Sequence, residues 1–301
     1  MSSSGKALRA TLLALLGLGI CVSPSRAATT SAVCLAVPSR LLHRSVGYCA
    51  ILPPGYEAGK IRRYPVLYLL HGLGENQEML ITSGGLNLVE DLWDTGRIGK
   101  FLIVTPDAGS SFYINSRNGR DRYEDFFIRE LLPYIEQHYR VLPGRMNRGI
   151  AGISMGGYGA LHLAFRYPSL FGSVSSESAS LIERIPSVTA AGPLPQALRL
   201  MLGGAFGSPP DPAFWKKNSP LTLARTAPLA GMKIYFDCGE QDDYGFERGA
   251  RALDRILTAR GIPHEFHLYP GGHNWGYFAA HLPGLLKFES RAFGLAGSFH
   301  Q

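Results

Sequence analysis

Short runs of unbroken apolar residues recur along the chain, each ending at a glycine, a proline or a polar residue. "YPVLYLLHG" (64–72) is the first, "FLIVTPD" (101–107) the second and "RGIAGIS" (148–154) the third. "GSVSSES" (172–178) is a weaker fourth, and "KIYFDCG" (233–239) and "HEFHLYP" (264–270) complete the series. A strand with one wet face alternates apolar with polar residues, so unbroken runs suit strands covered on both faces, as in a parallel sheet. Patterns of helical period lie between them. "DRYEDFFIRELLPYIEQHY" (121–139) reads as a helix that Pro133 kinks. "MGGYGALHLAFRY" (155–167) stops before Pro168, and "ERGARALDRILTARG" (247–261) is amphipathic and closes on a glycine. Strands alternating with helices predict a doubly wound α/β sheet with helices on both faces.

Two segments depart from that rhythm. Ahead of it, "AVCLAV" and "SVGYCAIL" are strand-like and flank "PSRLLHR", which reads as a turn. A hairpin centred near Leu41 and Leu42 sets Cys34 opposite Cys49, and a disulfide between them is expected. Further along, residues 181–232 hold eight prolines between two sheet strands. They read as an irregular insertion over the top of the sheet rather than as a second domain.

The first residues carry a different signal. Lys6 and Arg9 precede the apolar run "TLLALLGLGICV", which is followed by Pro24 and the small-residue ending "SRA". That is the layout of a secretory leader, with cleavage expected after Ala27, and the run is too short to span a bilayer comfortably. Residues 28–301 then form one domain, in a periplasmic or external compartment where a Cys34–Cys49 bond persists. Cys238, in an apolar strand, is left as an inert core thiol. Loss of residues 1–27 removes Lys6, Arg9 and Arg26 and no acid, taking the formal charge from +7 to +4. So mild an excess, with no basic block, makes nucleic acid a poor partner.

The chemistry concentrates at the end of the third run. "GISMG" matches G-x-S-x-G at Gly152, Ser154 and Gly156, after a strand and before a helix, the setting of a nucleophile elbow. Flanking glycines remove the clashes that so sharp a turn would cause. A serine nucleophile needs a base and a site for an oxyanion. "LLHGLGEN" (69–76) ends the first strand in a glycine loop, so the Leu73 and Met155 N–H groups are candidates for that site. For the base, His273 in "YPGGHNWGYF" follows the last strand in a glycine loop, whereas His71 comes too early for the order Ser…Asp…His. The acid lies in "YFDCGEQDDYGFE". Asp237 is still within the strand, and residue logic leaves Asp242 and Asp243 open. Asn115 and Trp275 are candidate substrate contacts. Phe112, Tyr113, Trp215 and Tyr244 are candidate pocket aromatics that suit core packing equally well. There is no H-E-x-x-H, zinc-type cysteine spacing or P-loop, so no metal or organic cofactor is expected.

These pieces resemble the esterase D family of α/β-hydrolases, also called the putative esterase family. The matching stretches are "YPVLYLLHGLGEN", "GISMGGYGALHLAFRYPSLFGSVSSESA", "DCGEQDD" and "YPGGHNWGYF", spread from about residue 47 to residue 278. Met-Gly-Gly after the serine, with Phe-Gly beyond the next helix, is more specific than the bare motif. The resemblance implies an α/β-hydrolase fold with a strand-rich N-terminal edge. It also implies Ser154 as nucleophile, His273 as base, Asp242 as acid, and the Leu73 and Met155 amides as the oxyanion site. The family includes feruloyl and acetylxylan esterases, S-formylglutathione hydrolases and mycolyltransferases. Hydrolysis of S-formylglutathione is a cytosolic task and conflicts with a leader. An exported esterase acting on small or carbohydrate-linked acyl esters is therefore expected. The alternatives are an acyltransferase to a sugar hydroxyl and a non-enzymatic binding protein on the same scaffold.

Overall fold

The computed structural model describes residues 31–59, 61–185 and 192–295. The leader expected over residues 1–27, with its cleavage after Ala27, lies outside the described residues. No helix among the described residues is long and apolar enough to cross a membrane.

Among the described residues eight strands form one sheet: β1 (Ser31–Ser39), β2 (Arg44–Leu52), β3 (Val66–Leu70), β4 (Leu102–Pro106), β5 (Arg148–Ile153), β6 (Ser173–Glu177), β7 (Lys233–Gly239) and β8 (Glu265–Tyr269). Their order is β1-β2-β4-β3-β5-β6-β7-β8. The β1–β2 and β2–β4 pairs are antiparallel and the rest are parallel. Among the described residues ten α-helices accompany them: α1 (Met79–Thr82), α2 (Gly85–Asp94), α3 (Tyr123–Phe126), α4 (Leu132–His138), α5 (Met155–Arg166), α6 (Pro193–Phe206), α7 (Pro212–Asn218), α8 (Pro220–Leu223), α9 (Phe246–Ala259) and α10 (Trp275–Ala292).

The unbroken apolar runs are buried on both faces for a visible reason. Along β3, Val66, Tyr68 and Leu70 enter one core, shared with residues of α5 and α9. Leu67 and Leu69, between them, enter a second core shared with α2 and α10. Alternate side chains of a strand point to opposite faces, so a strand between two helical layers must be apolar throughout. Truncating such a residue, as in Leu67→Ala, costs roughly 2–5 kcal/mol. The weak fourth run is polar because its partner is polar: Ser173 and Ser175 donate at 2.5 and 2.6 Å to the buried carboxyl of Glu289 on α10.

The hairpin turns over residues 40–43, and Cys34 lies directly across from Cys49 in the β1–β2 register. Their sulfurs are bonded, and Cys238 is free and buried. Two other expectations need correction. Residues 121–139 are helical without a break from Tyr123 to His138, but not as one regular α-helix: α3 and α4 are joined through a π-turn over Phe127–Leu131. Pro133 lacks an N–H and its ring crowds the carbonyl four residues back, and the helix widens into the π-turn just ahead of it. Residues 181–232 are not irregular, since α6, α7 and α8 lie within them. Pro212 and Pro220 open α7 and α8, at the helical position where a missing N–H is harmless. Asp211 caps α7 by accepting from Ala213 N–H at 2.9 Å and Phe214 N–H at 3.0 Å. This helical segment is tied to α5 where Tyr158 Oη and His162 Nδ1 donate to the Asn218 carbonyl at 2.8 and 2.7 Å.

Candidate active site

Ser154 stands between β5 and α5 with φ 56° and ψ −115°, a conformation that L-residues rarely adopt. Backbone bonds hold it there from both sides. Its N–H donates to the Glu177 carbonyl at 2.9 Å, and its carbonyl accepts from Ser180 N–H at 3.0 Å. The flanking glycines are required by space. A Cβ on Gly152 would lie 2.2 Å from Gly156, and one on Gly156 would lie 2.0 Å from the Leu70 carbonyl oxygen. The tight turn presents the serine hydroxyl at the carboxyl end of the sheet.

His273 reaches that hydroxyl from the loop after β8. Its Nε2 is 2.9 Å from Ser154 Oγ, and its Nδ1 is 2.8 Å from Asp242 Oδ2. A carboxylate only accepts, so Nδ1 carries the proton and Nε2 is left to accept from the serine. The Asp242 side chain is wholly buried, and its other oxygen accepts from Tyr244 N–H at 3.0 Å and Phe246 N–H at 3.3 Å. The neighbouring Asp243 does something else: it accepts the main-chain N–H of His273 at 2.9 Å. The imidazole edge is held by three rings, Tyr244, Phe246 and Phe278, with centroids 5.1–5.3 Å away. The set can take a proton from Ser154 and stabilise the resulting cation without moving any side chain far.

Asp237, on β7, belongs to a separate buried group. The Tyr235 and Tyr277 hydroxyls donate to it at 2.9 and 2.8 Å, and burial pushes its carboxyl up to about 7. Glu177, beside it on β6, is pushed well above the usual carboxylate range by burial and by the charge of Asp237.

The loop after β3 lies against the serine, since a Cβ on Gly72 would sit 3.7 Å from Ser154 Cβ. His71 is fully buried beside it. Ala108 N–H donates to His71 Nε2 at 2.9 Å, so Nδ1 is the protonated nitrogen and donates to the Gly72 carbonyl at 2.7 Å. In a trans peptide the carbonyl and the following N–H point in opposite directions. Holding the Gly72 oxygen therefore aims the Leu73 N–H the other way. Among the described residues, neither the Leu73 nor the Met155 N–H donates to a protein acceptor. Both amides are thus left without a protein acceptor, and Met155 begins α5, at its electropositive end.

Other expected contacts fall elsewhere. Asn115 Oδ1 accepts from Asp125 N–H at 3.1 Å, and Trp275 packs against the apolar core between the sheet and α10. Among the described residues neither bonds to Ser154, Asp242 or His273. Phe112, Tyr113 and Trp215 are buried in the opposite core, whereas Tyr244 remains 38% exposed beside His273. Sequence reasoning missed Ser180, whose buried hydroxyl is 3.5 Å from that of Ser154. Its one signal was the serine-rich run at the carboxyl end of β6. Among the described residues no group of three or more His, Cys, Asp or Glu side chains is arranged to hold a metal ion.

Comparison with known proteins identifies the family and the fold. The family model described as "Putative esterase" matches residues 39–288. An esterase of Mycobacterium tuberculosis is 35% identical over 246 residues, covering 75% of this chain and 52% of that protein. The chain thus spans about half the length of that curated relative. An acetyl esterase of Caldicellulosiruptor saccharolyticus is 26% identical over 267 residues, covering 84% of this chain and 96% of that one. Among solved structures, a ferulic acid esterase superposes with a TM-score of 0.75 at 30% identity, covering 88% of this chain and 99% of its own. The architecture is that of the α/β-hydrolases, with an added antiparallel edge.

Proposed function

The chain belongs to the putative esterase family, and on that footing we propose that it is an exported esterase working through an acyl-enzyme on Ser154. One observation carries the reading: Ser154 Oγ, His273 and Asp242 form a continuous hydrogen-bonded line of 2.9 and 2.8 Å. Ser154 Oγ attacks the ester carbonyl carbon while its proton passes to His273 Nε2. The carbonyl oxygen becomes an oxyanion, which the Leu73 and Met155 N–H groups receive. Losing one such donor raises the barrier by about 3 kcal/mol. The imidazolium, steadied by Asp242, gives its proton to the departing alkoxide, and the alcohol leaves. Water, deprotonated by His273, then attacks the acyl-serine, and the carboxylic acid is released.

Export is supported by the basic-then-apolar start of the sequence and by the Cys34–Cys49 bond, which persists in an oxidising compartment. The ester class follows the relatives, an acetyl esterase and a ferulic acid esterase, so acetyl and feruloyl esters of carbohydrates are the substrates to try. The test is product analysis with p-nitrophenyl acetate, methyl ferulate and acetylated xylan, using the chain and its Ser154→Ala variant. Release of free acid by the chain and not by the variant is expected. Turnover that survives in the variant contradicts the reading.

A further inference from the structure

Two cavities line up along α9, and the segment that follows β6, a strap over residues 181–185, runs beside both. The first, of about 440 Å³, is bordered by Tyr244 and Phe246, whose rings touch His273, and by Leu181, Leu198 and Arg248. The second, of about 420 Å³, lies further along the same helix, with Ala252 and Ile256 on one wall and Pro212 and Trp215 of α7 on another. Glu183 and Arg184 border both. The strap passes very close over α9: a Cβ on Gly249 would lie 1.9 Å from the Leu181 carbonyl oxygen. Gly249, with no side chain, is what allows the strap to lie so close on α9.

The second cavity has a distinct chemistry. Arg184, Lys216 and Arg225 border it with one acid, Glu183, leaving an excess of two positive charges, three less one. All four side chains are exposed, and among the described residues none of the three cations has a carboxylate partner. Hydroxyls of Ser219 and Thr222 stand among them over an apolar floor. Cations beside hydroxyls on an apolar surface match a sugar ring that bears a carboxylate: the ring's flat face packs, its hydroxyls exchange hydrogen bonds, and arginine grips the acid with two donors.

We propose that this cavity binds an acidic oligosaccharide, a uronate-bearing chain whose esterified residue lies in the first cavity against Tyr244, the ring that packs on His273. The inference rests on the esterase reading and names the substrate class for the same site. The groove then selects acidic chains over neutral ones, while the triad acts on whatever ester is held before Ser154. A phosphate or sulfate ester of a sugar would offer the same charge with a tetrahedral head, and the two sources are separable by experiment.

Titration calorimetry on the full chain compares tri-galacturonate, xylotriose and a sulfated trisaccharide. The acidic trimer is expected to bind at least about tenfold more tightly than xylotriose, the worth of roughly one good ion pair. That preference should shrink as salt rises from about 0.05 to about 0.5 M, because exposed charges are screened. The Lys216→Ser, Arg225→Ser double variant should lose the preference and keep its turnover of p-nitrophenyl acetate. Equal affinity for acidic and neutral trimers, a preference that survives in the double variant, or tighter binding of the sulfated trimer overturns the proposal. Absence of p-nitrophenyl acetate turnover in the unmodified chain counts against the esterase reading instead, and the binding comparison still decides the groove.

Discussion

The Asp242 carboxylate accepts from the His273 ring at 2.8 Å, while Asp243, one residue on, accepts from the His273 main chain at 2.9 Å. Neighbours in sequence thus orient the same histidine in two ways, one fixing the tautomer and the other the loop. Asp242→Asn removes the charge that stabilises the imidazolium and favours the wrong tautomer, so kcat on p-nitrophenyl acetate should fall about 10³–10⁴-fold. Asp243→Asn keeps an oxygen acceptor for the main-chain N–H and should cost less than about tenfold. Equal losses in the two variants would contradict the division of labour.

The bond from His71 Nδ1 to the Gly72 carbonyl sets the direction of the Leu73 amide. His71→Ala should act like loss of an oxyanion donor, lowering kcat by about 10²–10³ with little change in KM. His71→Asn retains an N–H near the Nδ1 position and should recover part of that loss. Circular dichroism of both variants separates misfolding from misplacement, and a KM effect with kcat intact would count against the assignment.

The buried carboxyls give stability a defined pH profile. Burial pushes Glu289 up to about 7, partly offset by the Ser173 and Ser175 hydroxyls, and burial pushes Asp237 up to about 7 as well. Both values lie above those of an unfolded chain, so the folded state holds protons that the unfolded state releases. Stability should therefore fall as pH rises from about 4.5 to about 7, by on the order of 3 kcal/mol for Glu289 alone. Glu124 runs the other way. Burial opposes its ionisation, but His162, Tyr167 and Arg166 outweigh it and pull the carboxyl down to about 2. Its contribution is present above pH 4.5 and disappears as pH falls toward 2. Urea unfolding from pH 3 to pH 8 should show a maximum near pH 4–5, and Glu289→Gln should flatten the neutral side of that curve.

Strands β1 and β2 are joined at Cys34 and Cys49, 15 residues apart. Closing a loop of that size limits the unfolded chain and contributes about 3 kcal/mol. The Cys34→Ser, Cys49→Ser variant should unfold at lower urea with kcat unchanged, because neither cysteine lies near Ser154 in the sheet order. A loss of kcat in that variant would show that the edge hairpin supports the site.

Much of this arrangement is legible from residue order alone, and the remainder has physical reasons for being hidden. The apolar runs at β3, β4 and β5 announce buried strands because both faces are covered. β6 is faint because its serines answer Glu289, more than a hundred residues away in sequence. The helices within 181–232 are masked by prolines, which read as breakers yet sit at helix starts. Gly152, Ser154 and Gly156 mark the elbow locally, and the loop position of His273 marks its partner. Which of Asp242 and Asp243 faces the imidazole depends on side-chain direction within one loop, which no residue spacing records. Ser180 and the strap over Gly249 depend on how the chain doubles back over α9.

The most direct measurement of the central claim is covalent labelling by a fluorophosphonate, followed by peptide mapping. The account predicts one label per chain, on Ser154, and its loss in the His273→Ala variant. No label on Ser154, or labelling that persists undiminished without His273, would contradict it.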